Sequence, residues 1–162
     1  MVSLKYAVVE RERRFLVASV PEGVSETWEI DDRYVDGARL RLREVRKPDG
    51  SVQRKVGHKV RLSEGPAEVA CTSLYLDDAE WALPVSRLPG TPLRKRRHHV
   101  RRDGWHVVVD ELEDGTLLAE IDDGDAPVAE PPAWLEVLAD VSADERWTGA
   151  ALARASARGG RE

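Results

Sequence analysis

Residues 38–60 carry the pattern that most restricts what this chain can fold into. Their first part, "ARLRLREVRK", alternates strictly, so its leucines lie on one face of a strand and its arginines on the other. The tripeptide "PDG" follows, in which proline presets φ and glycine permits a positive φ, as a tight turn requires. The run "SVQRKVGHKV" at residues 51–60 is therefore expected to return as the second strand of an antiparallel hairpin.

Similar patterns along the rest of the chain predict more strands than helices. Strands are expected at residues 4–16, 28–34, 68–76, 91–100, 105–112 and 116–122, with a loop or short helical turn over residues 21–29. Helices are expected at residues 77–88, where Pro84 should kink or end the first part, at 134–138, and at 142–158, where Ser142 and Glu145 form a capping-box pattern. The chain is thus predicted to be α+β and mainly β, with a single domain over residues 1–158 and a disordered tail at 159–162.

Composition narrows the class of protein further. The 162 residues carry a net charge of −5, which argues against a general nucleic-acid binder. Cys71 is the only cysteine, so a disulfide within the chain and a cysteine metal cluster are excluded, and its apolar surroundings predict a buried thiol. No stretch is apolar and long enough for a membrane span or a signal peptide, so we expect a soluble, cytoplasmic protein that does not bind membranes.

The basic side chains are sorted onto one face of the predicted hairpin. That face carries Arg39, Arg41, Arg43, Lys55 and Lys59 with almost no acid. A solvated outer face is the default for one alternating strand, but such faces mix charges, because like charges opposite one another destabilise a sheet. A cluster of one sign indicates an anionic ligand, and guanidinium groups match phosphate oxygens in a bidentate way.

The acidic side chains are sorted as well. Glu10 and Glu12 share one face of the first strand with Arg14, and Glu120 and Asp122 repeat the same spacing near the end of the last predicted strand. Asp110 lies on the strand before it. Carboxylate ligands without cysteine or histidine favour hard cations such as Mg²⁺ or Mn²⁺. A closed β-barrel would let these strands meet around a wet lumen, with metal on an acidic side and phosphates on a basic side.

The same segments resemble a known family. The sequence Glu10-x-Glu12-x-Arg14 followed by "FLV" is similar to the Glu-x-Glu-x-Lys signature of the CYTH superfamily, the triphosphate tunnel metalloenzymes. Later segments agree in order, namely "YVDGARLRLREV", "TSLYLDDAEWALP", "LRKRRHHV", "VDELEDGTLLAEID" and "ERWTGAALA". The resemblance implies an eight-stranded antiparallel closed barrel with flanking helices and a C-terminal helix, which binds a triphosphate and hydrolyses it with Mg²⁺ or Mn²⁺.

The resemblance also implies roles for individual residues. Metal-ligand positions fall on Glu10, Glu12, Asp110, Glu120 and Asp122, and phosphate-binding positions fall on Arg14, Arg39, Arg41, Arg43, Lys55, Arg97 and, as a further tunnel lysine, Lys59. Glu10, Glu12, Arg14 and Arg41 are the residues expected to act in catalysis. Which of the three hairpin arginines contact phosphate stays open. Arg14 stands where the family usually has lysine, and Asp122 stands where it usually has glutamate.

Three functions remain open at this point. The first is a metal-dependent triphosphatase that acts on inorganic tripolyphosphate or another compact triphosphate. The second is a nucleotide or thiamine triphosphate enzyme of the same superfamily, such as a triphosphatase or an adenylate cyclase. The third is a non-catalytic polyphosphate-binding module, which would not need five carboxylates. A homodimer is possible, and the organic part of the substrate, the choice of metal and the pathway are left undetermined.

Overall fold

Eight antiparallel strands close into a barrel in the computed structural model, which describes residues 1–122 and 130–159. Around the barrel, each strand pairs with the next in the order β1, β5, β4, β3, β2, β6, β7, β8, and β8 pairs with β1 again. The strands are β1 (Val8–Val17), β2 (Val24–Val35), β3 (Leu40–Arg46), β4 (Val52–Arg61), β5 (Glu68–Leu76), β6 (Gly90–Arg102), β7 (Trp105–Leu112) and β8 (Leu117–Asp122). The predicted fold, a mainly β chain with a closed eight-stranded antiparallel barrel, is confirmed.

A ninth strand and two helices accompany the barrel. Strand β9 (Val137–Asp140) pairs with the end of β1. It lies along the same edge of β1 as β5, beyond the point where the pairing with β5 ends. Helix α1 (Asp78–Arg87) connects β5 to β6, and its N-cap Asp77 forms a capping box with Glu80. Helix α2 (Gly149–Gly159) follows a short 3₁₀ turn near the C-terminus, and residues 160–162 of the expected tail lie outside the described residues.

The main apolar cluster lies on the outer side of the barrel wall. It joins Phe15 and Val17 of β1 to Val107, Val109, Ala119 and Ile121 of β7 and β8, and Leu135 covers it from outside. Because side chains alternate along a strand, the neighbouring residues Arg14, Asp110 and Glu120 face the barrel interior. Burial of the outer cluster therefore stabilises the wall, and the interior can hold charged groups.

Helix α2 packs against the inner side chains of two strands. Its Ala153 is fully buried against Leu93 of β6 and Leu112 of β7. The helix begins at Gly149, where a Cβ atom would lie 1.8 Å from the hydroxyl oxygen of Tyr34. A larger residue at position 149 would force the Tyr34 side chain to shift, so the start of α2 packs closely beside the end of β2.

Several predicted element boundaries were wrong. The loop expected over residues 21–29 is a strand from Val24 onward, because the long strand β6 supplies a partner as far as Val100. Pro84 was expected to kink or end the first part of the helix, but α1 continues through it to Arg87.

The C-terminal helices also differ from the prediction. Residues 134–138 form a turn and the start of β9, since pairing with the edge of β1 outweighs local helix preference. The helix expected over residues 142–158 begins only at Gly149. Ser142 does not cap it: its hydroxyl donates to the Asp140 carboxylate, and Asp144 caps the 3₁₀ turn instead.

Candidate triphosphate and metal site

The barrel interior contains a cavity of about 1090 Å³ with a large excess of basic side chains. Ten Lys or Arg residues and four Asp or Glu residues line it. The basic residues are Arg14, Arg39, Arg41, Arg43, Lys55, Lys59, Arg61, Lys95, Arg97 and Arg154, and the acidic residues are Glu10, Glu12, Asp36 and Glu120. The cavity thus brings together all the predicted phosphate-binding residues and three of the five predicted metal ligands.

Strand register accounts for this convergence. In an antiparallel pair, residues directly opposite one another point to the same face. Arg43 lies opposite Lys55 on one side and Asp32 on the other. Arg14 lies opposite Glu120 across the β1–β8 pair. The charged side chains that alternate along each strand therefore all point into the closed barrel, where they form one continuous lining.

The basic side of the cavity is held by a buried ion pair. Arg43 donates two hydrogen bonds to Asp32, from Nε at 2.6 Å and from Nη2 at 2.7 Å. Burial acts to raise the pKa of Asp32, but Arg43 and Arg41 outweigh it and hold that pKa well below its usual range. The aspartate therefore stays ionised and compensates part of the positive charge of Arg43 and Arg41.

The crowding of basic groups also affects Lys55, which is half-buried on β4. Burial and the neighbouring Arg43 and Arg41 guanidinium groups lower the pKa of Lys55 to about 8. Its ammonium group lies 5.8 Å from the centre of the Tyr75 ring. An anion bound in the cavity would raise this pKa again, because it favours the charged form of the lysine.

Two guanidinium nitrogens of the lining are buried without a hydrogen-bond partner among the described residues. They are Nη1 of Arg14 and Nε of Arg41. Arg41 Nε lies 3.8 Å from the nearest Asp32 oxygen, which is too far for a hydrogen bond. A buried donor that lacks an acceptor costs about 1–3 kcal/mol. Both groups would gain from an oxygen-rich anion in the cavity.

The carboxylates of the lining lie on β1 and β8 and are ion-paired. Glu10 accepts a hydrogen bond from Lys59 at 2.7 Å, and Glu12 accepts one from Arg14 at 3.2 Å. Glu120 accepts one from Arg97 at 2.6 Å. Burial acts to raise the pKa of Glu10 and of Glu12, but nearby basic groups, Lys59 foremost, lower both. Glu10 and Glu12 are therefore ionised at neutral pH.

The donor set can be compared with what a divalent cation requires. Glu10, Glu12 and Glu120 offer carboxylate oxygens to one cavity, and such oxygens suit Mg²⁺ or Mn²⁺. Within residues 1–122 and 130–159, no three acidic, histidine or cysteine side chains are gathered closely enough to hold a metal ion. Metal binding would therefore require these glutamates to exchange their basic partners for the ion.

The two predicted aspartate ligands lie apart from the cavity lining. Asp122 is exposed at the end of β8, opposite Glu12. Asp110 is 1% exposed, and both of its oxygens accept hydrogen bonds, from Lys95 at 2.5 Å and from Arg97 at 2.7 and 2.8 Å. Asp110 therefore fits a metal ligand poorly, whereas Asp122 shares the face of Glu12.

Sequence reasoning missed four charged residues of the site. Lys95 has the same strand parity as Arg97, so alternation along β6 could have identified it. Asp32 lies in the predicted second strand, but its partner Arg43 becomes known only from strand pairing. Arg61 has the parity of Lys55 and Lys59 along β4, so the same alternation could have identified it, whereas Arg154 reaches the cavity from α2 and no local pattern marks it.

The fold and the lining define a class of protein: a closed antiparallel β-barrel whose charged interior can take a polyanion. Two solved structures of the protein NE1496 share this fold. One, described as an inorganic triphosphatase, is 21% identical with a TM-score of 0.54 and aligns over 94% of this chain and 95% of its own. The other, described as a hypothetical protein, is 22% identical with a TM-score of 0.56 and aligns over 89% of this chain and 97% of its own.

A conserved hypothetical protein from Pyrococcus furiosus is also similar, with 19% identity and a TM-score of 0.55 over 73% of this chain and 81% of its own. No family model matches the chain, and no curated protein matches it. These comparisons show that the barrel fold is shared with known proteins. In addition, no helix within the described residues has the length and apolar character needed to cross a membrane.

Proposed function

We propose that this protein hydrolyses a triphosphate inside its barrel in a metal-dependent reaction, with inorganic tripolyphosphate as the leading substrate. The observation that carries the proposal is the cavity lining, in which two buried guanidinium nitrogens, Nη1 of Arg14 and Nε of Arg41, lack a hydrogen-bond partner and the glutamates of β1 and β8 face the same space. The fold shared with a protein described as an inorganic triphosphatase supports it. A purely binding role would have no need for the carboxylate group on β1 and β8.

In this proposal, the basic wall binds the phosphate chain. Arg41, Arg43 and Lys55 contact phosphate oxygens from β3 and β4, and Arg14 and Arg97 contact them from the opposite side. The same groups stabilise the negative charge that develops on the phosphoryl oxygens in the transition state. Arg39 and Lys59 complete the predicted set.

Glu10, Glu12 and Glu120 would hold Mg²⁺ or Mn²⁺, with Asp122 as a further candidate. When bound, the cation supplies charge neutralisation for the phosphates and lowers the pKa of coordinated water. A glutamate oxygen of this group that does not contact the cation would orient the attacking water and accept its proton. Attack at the terminal phosphorus breaks the bond to the bridging oxygen and yields orthophosphate and pyrophosphate.

The size of the cavity supports a second candidate, a substrate larger than tripolyphosphate. Small-molecule sites usually enclose about 300–1,000 Å³, and this cavity reaches about 1090 Å³. A nucleotide or thiamine triphosphate therefore has room, and this second candidate rests on that volume alone.

Phosphate release from a panel of substrates tests the proposal. The panel contains tripolyphosphate, ATP, GTP, thiamine triphosphate and pyrophosphate, each with Mg²⁺, with Mn²⁺ and with EDTA. We expect metal-dependent release from tripolyphosphate and much less from pyrophosphate. Absence of turnover of every triphosphate, together with tight metal-free binding, would favour the non-catalytic binding module. A cytoplasmic location, a possible homodimer and lack of nucleic-acid binding remain predictions.

A further inference from the structure

We propose that two buried aspartates, Asp32 and Asp110, are positioning residues that hold the phosphate-binding arginines in place, and that Asp110 is not a metal ligand. This inference rests on the proposed triphosphate-binding function. Both side chains are buried in the barrel interior next to the cavity, and each bonds to basic residues that line it.

Asp32 fixes the orientation of Arg43. The two hydrogen bonds from Nε and Nη2 occupy one edge of the guanidinium plane, so the other edge remains available toward the cavity. The Asp32 side chain is 0% exposed and that of Arg43 is 7% exposed, so water competes little with this pair. Asp32 also lies 3.8 Å from Arg41, close enough to stabilise its charge.

Asp110 has the same relation to another part of the wall. One of its carboxylate oxygens accepts a hydrogen bond from Lys95, and each of the two accepts one from Arg97. All three donor nitrogens lie within 2.8 Å of the oxygen that they bond to. Arg97 also donates from Nη2 to Glu120, so its plane is held from two sides. A carboxylate that already accepts three charged hydrogen bonds, at 1% exposure, has little capacity left to coordinate a cation.

A physical reason explains why such aspartates are needed. Arg41, Arg43, Lys55, Lys95 and Arg97 crowd one cavity, and without ligand they repel one another. Asp32 and Asp110, buried on the same inner face beside these residues, offset that repulsion without lining the cavity where phosphate binds. The arginines are thereby arranged before the substrate arrives, which reduces the ordering cost of binding.

The test compares three single variants with the wild type by titration with tripolyphosphate in EDTA, and then measures the Mg²⁺ concentration that half-activates hydrolysis. Asp32→Asn and Asp110→Asn should each weaken metal-free binding about tenfold or more, because a charge-assisted contact is misaligned. Neither should change the half-activating Mg²⁺ concentration. The matched control Asp31→Asn removes an exposed carboxylate on the neighbouring residue of β2, paired with Arg46 and Arg94, and should bind as the wild type does.

A variant that fails to fold is replaced by a charge-balanced one. Lys95→Met combined with Asp110→Asn removes one charge of each sign, and such exchanges of buried pairs are often tolerated. It should bind tripolyphosphate more weakly than Lys95→Met alone, because Arg97 also loses its main carboxylate partner. Unchanged metal-free binding together with a raised Mg²⁺ requirement in Asp110→Asn would overturn its positioning role and make it a ligand. Unchanged binding in both aspartate variants would overturn the inference alone, whereas a wild type that does not bind tripolyphosphate would overturn the proposed function as well.

Discussion

The affinity for triphosphate should fall as the pH rises, because Lys55 loses its charge. Replacing Lys55 with arginine, which stays charged, should remove this pH dependence. Burial and the nearby Arg43 and Arg41 groups lower its pKa to about 8 in the free protein. A bound polyanion stabilises the ammonium form, so the pKa in the complex should return to about the ordinary 10.5 or above. Binding then takes up a proton whenever Lys55 begins uncharged.

The magnitude follows from these two pKa values. With a pKa of about 8, roughly nine-tenths of Lys55 is protonated at pH 7 and roughly one-tenth at pH 9. Affinity should therefore fall about tenfold over this interval, which is about 1.4 kcal/mol. At pH 8.5, each binding event should take up about three-quarters of a proton by the same relation.

Calorimetric titration with tripolyphosphate in EDTA, on the wild type and on Lys55→Arg, measures this effect. Arginine stays charged at all these pH values, and titration of the ligand itself is common to both proteins. The ratio of the two affinities should thus change about tenfold between pH 7 and pH 9. A ratio that stays constant across this range would refute the reasoning, because it would show that Lys55 is charged throughout or does not contact the ligand.

Three further outcomes are expected. Glu12→Gln should abolish metal-dependent turnover with the fold intact, since a carboxamide keeps the shape but loses the charge that holds a divalent cation; undiminished activity at saturating Mg²⁺ would exclude Glu12 as a ligand. Arg41→Ala should reduce the rise in melting temperature that tripolyphosphate produces, while the free protein is unchanged or slightly more stable; an equal shift in both proteins would contradict this. Burial and Arg97 lower the pKa of His99 to about 4. Below about pH 6.5 the unfolded chain therefore binds more protons than the folded protein does. The free energy of unfolding should fall by about 2 kcal/mol between pH 7.5 and pH 5 for this reason. Urea melts of His99→Gln should lack that part of the loss, and an identical pH dependence in both proteins would contradict the role of His99.

Alternation along single strands allowed much of the barrel interior to be predicted. Side chains that alternate must face opposite sides, so the inner positions of β1, β3 and β4 could be assigned before any pairing was known. The positions of Glu10, Glu12, Arg41, Arg43 and Lys55 in one cavity agree with that reasoning. Tight turns were also predictable, because residues such as Gly50 and Gly104 need the positive φ that they adopt.

Features that depend on distant partners could not be predicted in this way. Strand β9 exists because β1 has an edge left unpaired where β5 ends, and the apolar run at residues 134–138 gave no sign of that edge. Asp110 was assigned to the metal by resemblance, although its bonds to Lys95 and Arg97 follow from the pairing of β6 with β7. Parity predicts which face a side chain occupies, but only the assembled sheet decides which neighbours it meets.

The apolar cluster on the outer wall also protects the barrel against mispairing. In β1, β7 and β8, the residues of the outer cluster alternate with charged residues such as Arg14, Asp110 and Glu120. A slip of one residue in register would turn every side chain of a strand to the other face. It would bring several charges into the apolar cluster and several valines into the lumen at the same time, and each buried unpaired charge is heavily penalised. The sorting of charge that prepares the interior for a polyanion therefore also favours a single register during folding.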